Sequence, residues 1–124
     1  MDGQNADLGR LFAGALARKD SAAMAALLDA QVDFRGLTPS RSWEACGADA
    51  VLDLLLAHWF EDSDEIEELA SLETGAIADR RRVAYRFNVH SPDGSFVVEQ
   101  QAYYTERDGR ITWMRVLCSG FRPR

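Results

Sequence analysis

The sequence has few cysteines and histidines, the residues that stabilise small proteins through disulfide bonds or metal ions. Its two cysteines, Cys46 and Cys118, stand far apart, and only two histidines accompany them. Their spacing matches no pattern of metal ligands, and no glycine-rich phosphate loop is present. We therefore expect a reduced protein that needs neither a metal nor a cofactor.

Long apolar runs and an excess of positive charge are also missing. No stretch is long enough to span a bilayer and no apolar leader begins the chain, so we expect a cytoplasmic protein without membrane contact. The net charge of −6 argues against binding nucleic acid phosphates. Acidic residues gather at 61–73 and arginines at 80–82, which fits either docking between subunits or a solvated loop.

Three segments in the first half of the chain show the apolar spacing of helices. After a frayed start at residues 1–5, one helix is predicted from Ala6, because apolar residues recur every three or four positions. Asp20 is predicted to cap a second helix, and Gly47 and Asp49 open a third. At 124 residues, the chain 1–124 is expected to form a single domain.

The second half alternates apolar and polar residues, as strands do. Strands are predicted at Gln31–Leu37, 66–77 and 82–90, although 66–77 could also be a helix. A hairpin over 95–121 turns at Asp108-Gly109. Since no helix follows this meander, its apolar face must pack on the earlier helices, which predicts an α+β fold.

Three stretches resemble the nuclear transport factor 2-like superfamily, in particular its SnoaL-like and ketosteroid isomerase-like branch. They are LARKDSAAMAALL before VDF, the helix led by Gly47, and the closing pattern QAYYTERDGRITWMRV. The resemblance implies a cystatin-like cone, with three N-terminal helices packed in the concave face of a curved, mainly antiparallel sheet. It also implies an apolar pocket for a small hydrophobic molecule and, often, a homodimer.

Members of this superfamily include isomerases, cyclases, dehydratases, epoxide hydrolases and proteins that only bind. Ketosteroid isomerase uses an aspartate base with a tyrosine and a protonated aspartate as donors. The matching positions here hold Arg35, Phe12 and Gln101. Because phenylalanine cannot donate a hydrogen bond and arginine stays protonated, we do not expect that mechanism. No Asp–Arg–Asp set of the epoxide hydrolase kind can be placed.

The resemblance implies that three polar residues of the hairpin point toward the pocket. Glu99 is the candidate acid or base, and Gln101 and Tyr103 are candidate hydrogen-bond donors. The alternative is structural: Glu99 pairs with Arg35 or Arg86, while the amide and the phenol are satisfied by neighbouring strands.

Six further residues are candidate ligand contacts: Arg35, Trp43, Trp59, Met114, Val116 and Cys118. Arg35 could hold an anionic group or pair with Glu99. Trp43 could cover the pocket or only pack, and Cys118 could be a nucleophile or a small buried residue. His58 suits a general base, or packs beside Trp59.

Two functions follow from this pattern. One is a cofactor-independent isomerase, cyclase or dehydratase that moves protons on a hydrophobic oxygenated molecule. The other is a non-catalytic ligand-binding or dimerisation module. In either case we expect a homodimer through the sheet face away from the helices, to which we assign Trp113, Arg115, Val98, Gln100, Ala102, Tyr104 and Tyr85.

Overall fold

The structure, a computed structural model, describes residues 7–124. The frayed start predicted for residues 1–5 lies outside these residues. The helices are α1 (Leu8–Ala17), α2 (Ser21–Leu27) and α3 (Ala48–Asp53), which continues as a π-helical turn over Leu54–Trp59. Within residues 7–124, no helix is long and apolar enough to cross a membrane.

Aspartate side chains begin the first two helices. The Asp7 carboxylate accepts a hydrogen bond from the backbone N–H of Arg10, and the Asp20 carboxylate accepts one from Ala23. Each bond satisfies an N–H that the first turn leaves without a helical partner. The prediction of Asp20 as a cap is confirmed.

Seven strands form one sheet in the order β2-β1-β6-β5-β4-β3, with β7 beside β5. Their bounds are β1 (Leu28–Thr38), β2 (Arg41–Cys46), β3 (Glu65–Ile77), β4 (Arg80–Ser91), β5 (Gly94–Arg107), β6 (Arg110–Cys118) and β7 (Arg122–Pro123). All pairs are antiparallel except β1 with β6. The segment 66–77 is therefore a strand, while β2 and β7 were not predicted.

The helices pack against one face of the sheet, which we call the inner face. Phe12 and Leu16 of α1 are fully buried there with Val83 and Phe87 of β4. Burial of such side chains contributes about 1.5–3 kcal/mol each. The prediction of an α+β fold with helices in the concave face of the sheet is confirmed.

A β-bulge in the closing hairpin determines on which face of the sheet each side chain lies. Beside the turn, Glu106 pairs with Ile111, but the next pair is Thr105 with Trp113, so Thr112 is an extra residue. The hydroxyls of Thr105 and Thr112 are 3.1 Å apart. A shift of one residue moves every later side chain to the opposite face.

Because of this bulge, the predicted pairing of faces is wrong. The inner face joins Gln100 to Cys118, Ala102 to Val116 and Tyr104 to Met114. The side chains of Glu99, Gln101 and Tyr103 instead lie on the outer face, away from the helices. Five buried residues belong to the inner face, although the sequence analysis predicted them on the outer face: Val98, Gln100, Ala102, Tyr104 and Tyr85.

Candidate functional site

A cavity of about 360 Å³ opens at one end of the sheet, where β1, β4 and β6 end and β5 begins. Five aromatic residues line it: Trp43, Trp59, Phe60, Phe96 and Phe121. Polar side chains also line it: Thr38, His58, Ser91 and Cys118, with Glu61, Asp64 and Asp93 from loops. Apolar walls with a few polar groups, at this size, are typical of small-molecule sites.

Trp59 forms the wall nearest the helices. Its ring meets the rings of Phe34 and Trp43 edge to face, with centroids 5.9 and 6.2 Å apart. The Trp43 indole N–H donates to the hydroxyl of Thr38 at 3.0 Å. In contrast, Nε1 of Trp59 is the one buried side-chain nitrogen or oxygen within residues 7–124 that has no hydrogen-bond partner.

An unpaired buried donor is costly, by about 1–3 kcal/mol. The cost falls when an acceptor enters the site, because the N–H then regains the bond that it lost on leaving water. Trp59 is among the residues that line the cavity, while its Nε1 atom is itself buried. Trp59 therefore adds an aromatic ring to the wall and holds a buried N–H without a partner within residues 7–124.

Three phenylalanines form the opposite wall. The ring centroid of Phe121 is 5.6 Å from that of Phe96 and 6.0 Å from that of Phe60. Gly120, with a φ of 74°, makes the turn that brings Phe121 back over the sheet. Sequence reasoning missed these residues, because Phe96 and Phe121 lie at strand ends where alternation carries little information.

A buried polar chain runs beside the cavity. The Tyr85 hydroxyl donates to Oε1 of Gln100 at 2.6 Å, and Nε2 of Gln100 donates to Sγ of Cys118 at 3.3 Å. The backbone N–H of Gly120 donates to the same sulfur. Burial raises the pKa of the Tyr85 hydroxyl, and the nearby Cys118 adds to the rise. Tyr85 therefore stays protonated and keeps donating.

The predicted ligand contacts separate into three groups. Trp43, Trp59 and Cys118 line the cavity, which is where the sequence analysis expected them. Met114 and Val116 point to the inner face but are packed in the core. Arg35 is exposed on the outer face, and it does not make the predicted pair with Glu99.

The three predicted catalytic residues are held by neighbours on the outer face. Glu99 accepts from Nη2 of Arg86 at 3.0 Å, as the structural alternative stated, and 56% of its side chain is exposed. Gln101 accepts from Nη1 of Arg82 at 3.2 Å and from the Tyr103 hydroxyl at 3.0 Å. None of the three lines the aromatic cavity.

The model of the SnoaL-like domain matches residues 8–114 of this sequence. The chain belongs to the SnoaL-like domain family. This family places it in the nuclear transport factor 2-like superfamily, as the sequence resemblance implied. Among curated proteins, none matches the sequence significantly.

Solved structures share the fold of this SnoaL-like chain at low identity. A candidate isomerase from Bacillus subtilis has a TM-score of 0.73 at 16% identity, over 89% of this chain and 82% of that one. A candidate polyketide cyclase from Pseudomonas putida gives 0.69 at 15%, over 88% and 86%. A nuclear transport factor 2-like protein of unknown function from Mesorhizobium loti gives 0.66 at 23%, over 95% and 93%. These similarities establish the fold alone.

Proposed function

We propose that the aromatic cavity binds a small hydrophobic molecule that carries oxygen, and that the protein acts on it as a cofactor-independent isomerase, cyclase or dehydratase. The observation that carries this proposal is the cluster of aromatic residues around the cavity, which includes Trp59, whose buried indole N–H has no partner within residues 7–124. A carbonyl or hydroxyl oxygen of the ligand would accept from it. The fold shared with a candidate isomerase and a candidate polyketide cyclase supports the same class of chemistry.

The cavity walls suit a flat ring system. Aromatic side chains bury large areas and prefer edge-to-face or offset contacts, which a bicyclic ligand can make with Trp43 and Trp59. One hydrogen bond in such a site fixes the orientation of the ligand. The reacting part of the ligand would then lie near the polar lining, formed by His58, Ser91 and Cys118.

A pair of bicyclic probes tests the proposal. α-Tetralone carries a carbonyl oxygen, and tetralin is the same ring system without it. Isothermal titration calorimetry of both probes is compared between the wild-type protein and Trp59→Phe. We expect the substitution to weaken α-tetralone about three- to tenfold more than tetralin, which corresponds to the loss of one hydrogen bond.

Trp113 provides the matched control, because it lies on the outer face between the guanidinium groups of Arg80 and Arg115. Trp113→Phe should leave the affinity for both probes unchanged. If neither probe binds the wild-type protein, or if both substitutions act alike, the proposal is wrong.

A non-catalytic binding module is the second candidate function. The observation in its favour is the outer-face position of Glu99, Gln101 and Tyr103, which removes three groups from the proposed chemistry. The two candidates differ in one measurable property. Both require a ligand in the aromatic cavity, but only the enzyme requires a group there that exchanges protons with the ligand.

We also propose that a second copy of the chain covers the outer face. Leu37 and Leu117 are about half exposed there, at 50% and 49%. Arginines cross this face from β6 to β4, and Arg115, Arg82 and Arg86 each pair with a carboxylate of the same chain, Asp33, Glu73 and Glu99. A two-fold axis would set the exposed leucines of one copy against those of the other.

Sedimentation velocity over a dilution series tests this dimer. Leu117→Glu should convert the dimer to a monomer, because it buries a charge in the interface. Leu11→Glu is the matched control, since Leu11 is 45% exposed on α1, away from the outer face. A wild-type monomer at every concentration would contradict the proposal.

A further inference from the structure

The helix beside the cavity changes its hydrogen-bonding pattern just before it reaches the site. Over Leu54–Trp59 the helix is a π-helix. The backbone N–H of Phe60 donates to the carbonyl of Leu55, five residues earlier in the chain, at 2.9 Å. Turns of this kind are rare and often occur at functional sites. Here the turn carries His58 and Trp59, which both line the cavity.

The wider turn brings together two titratable side chains five residues apart. Nε2 of His58 is 3.5 Å from Oδ2 of Asp53. The imidazole is also tilted against the ring of Trp43, with centroids 6.0 Å apart. A carboxylate beside Nε2 favours the tautomer with the hydrogen on that nitrogen, which leaves the lone pair on Nδ1 free.

The pair of His58 and Asp53 contributes little to the stability of the fold. The side chains of His58 and Asp53 are 55% and 70% exposed, and ion pairs at such positions add little to stability. His58, however, lines the cavity, and Asp53 lies behind it. An imidazole with one nitrogen oriented by a carboxylate is the arrangement that general bases require.

We propose that His58 is the catalytic base of the aromatic cavity and that Asp53 is its positioning residue. This inference rests on the proposed function, since it requires a ligand in the cavity. Nδ1 of His58 takes a proton from a carbon next to the ligand's carbonyl, the electron pair of the broken C–H bond forms a C=C bond, and the π pair of the carbonyl moves to its oxygen. The imidazolium returns the proton to another atom of the ligand, so the step needs no oxidant or reductant.

Several charged or titratable groups face His58 besides Asp53. The loop after the π-helical turn contributes Glu61 and Asp64, and the β4–β5 turn contributes Asp93. Cys118 lines the cavity from β6, and the guanidinium of Arg41 lies 3.7 Å from the centre of the Trp43 ring. Nζ of Lys19 donates to the backbone carbonyls of Glu61 and Asp64, so charges of both signs lie in this loop.

A proton-abstraction probe tests the base without knowledge of the natural substrate. 5-Nitrobenzisoxazole is a flat bicyclic molecule. When a base removes the C–H proton of its isoxazole ring, the C–H electrons form a nitrile, the N–O bond breaks, and its electron pair stays on the oxygen, which gives a yellow cyanonitrophenolate. We expect the wild-type protein to accelerate this reaction, and His58→Gln to lower the rate by about 10- to 100-fold.

His90→Gln is the matched control, because the other histidine is exposed on the outer face of β4. It should keep the wild-type rate. Asp53→Ala should lower the rate, and Asp53→Glu should restore part of it, which a merely structural role would not require. The wild-type rate should depend on pH, because a base acts only in its deprotonated form, and this dependence should disappear in His58→Gln.

The two proposals fail in different ways. If α-tetralone binds but His58→Gln reacts with the probe as fast as His90→Gln, the base is wrong and the cavity is right. If α-tetralone does not bind, the proposed function is wrong as well. Should His58→Gln fold poorly by circular dichroism, the wild-type pH profile decides, and a flat profile overturns the proposal.

Discussion

Trp59 lies directly on the backbone of Gly36. A Cβ atom on Gly36 would be only 2.5 Å from Cη2 of the indole and 2.7 Å from Cζ2. The glycine in β1 therefore makes room for the aromatic wall of the cavity, and the π-helical turn brings the indole to it. The stability of the fold and the shape of the site depend on the same contact.

We expect Gly36→Ala to displace the indole and to destabilise the protein by about 1–3 kcal/mol, as overpacking does. The affinity for α-tetralone should fall with it. Gly14→Ala is the matched control, because its Cβ would meet only the guanidinium end of Arg18 at an ordinary 3.5 Å. In a helix this change should stabilise by roughly 0.5–1 kcal/mol. Urea unfolding measures both, and equal effects would contradict the prediction.

Tyr104 ties the closing hairpin to the start of α1. Its hydroxyl accepts from the backbone N–H of Gly9 at 2.8 Å and donates to Oδ1 of Asp7 at 3.1 Å. We expect Tyr104→Phe to lower the free energy of unfolding by about 1–3 kcal/mol, because a buried N–H loses its acceptor. Tyr103→Phe, on the outer face, should cost less. The prediction is wrong if the two variants unfold at the same urea concentration.

Neighbouring residues of β5 should respond differently to substitution. Gln100→Leu leaves the buried Tyr85 hydroxyl without its acceptor, so we expect a loss of about 1–3 kcal/mol. Glu99→Gln breaks only an exposed pair with Arg86, and we expect a change of less than about 1 kcal/mol. Guanidinium unfolding separates them. A larger effect at Glu99 would indicate that the faces of β5 are reversed.

Alkaline pH should destabilise the protein through Tyr85. Burial raises the pKa of this hydroxyl, so the folded state keeps a proton that the unfolded chain releases above roughly pH 10. The stabilisation is complete below that pH and declines as pH rises further, by about 1.4 kcal/mol per unit. In Tyr85→Phe the decline should be smaller by that amount. Unfolding curves between pH 9 and 11 test this, and identical slopes would contradict it.

The sequence contains enough information for most of the fold but not for the site. The caps and the alternation in β4 are local signals, and the structure follows them. The extra residue Thr112 is not a local signal, because Asp108-Gly109 predicts a regular hairpin and nothing nearby marks the bulge. Because of this one residue, each side chain of β5 lies on the face opposite to the predicted one. Glu99 is therefore outside the pocket and Gln100 is in the core.

The cavity could not be predicted from the sequence for a different reason. Its walls come from strand ends and loops that meet only in the folded chain, as Phe60 and Phe121 do. The π-helical turn also changes which residues of the third helix face the sheet, and its wider spacing departs from the 3.6-residue period that sequence patterns assume. Trp43, Trp59 and Cys118 line the cavity, and their role as ligand contacts stays a prediction.

The indole N–H signals in a proton–nitrogen correlation spectrum test the central claim most directly. The protein has three tryptophans, so it gives three such signals, which Trp59→Phe and Trp113→Phe assign. On addition of α-tetralone, we expect the Trp59 signal to move downfield as its N–H gains an acceptor, while the Trp113 signal stays in place. A Trp59 signal that does not move at saturating α-tetralone would contradict the assignment of the aromatic cavity as the binding site.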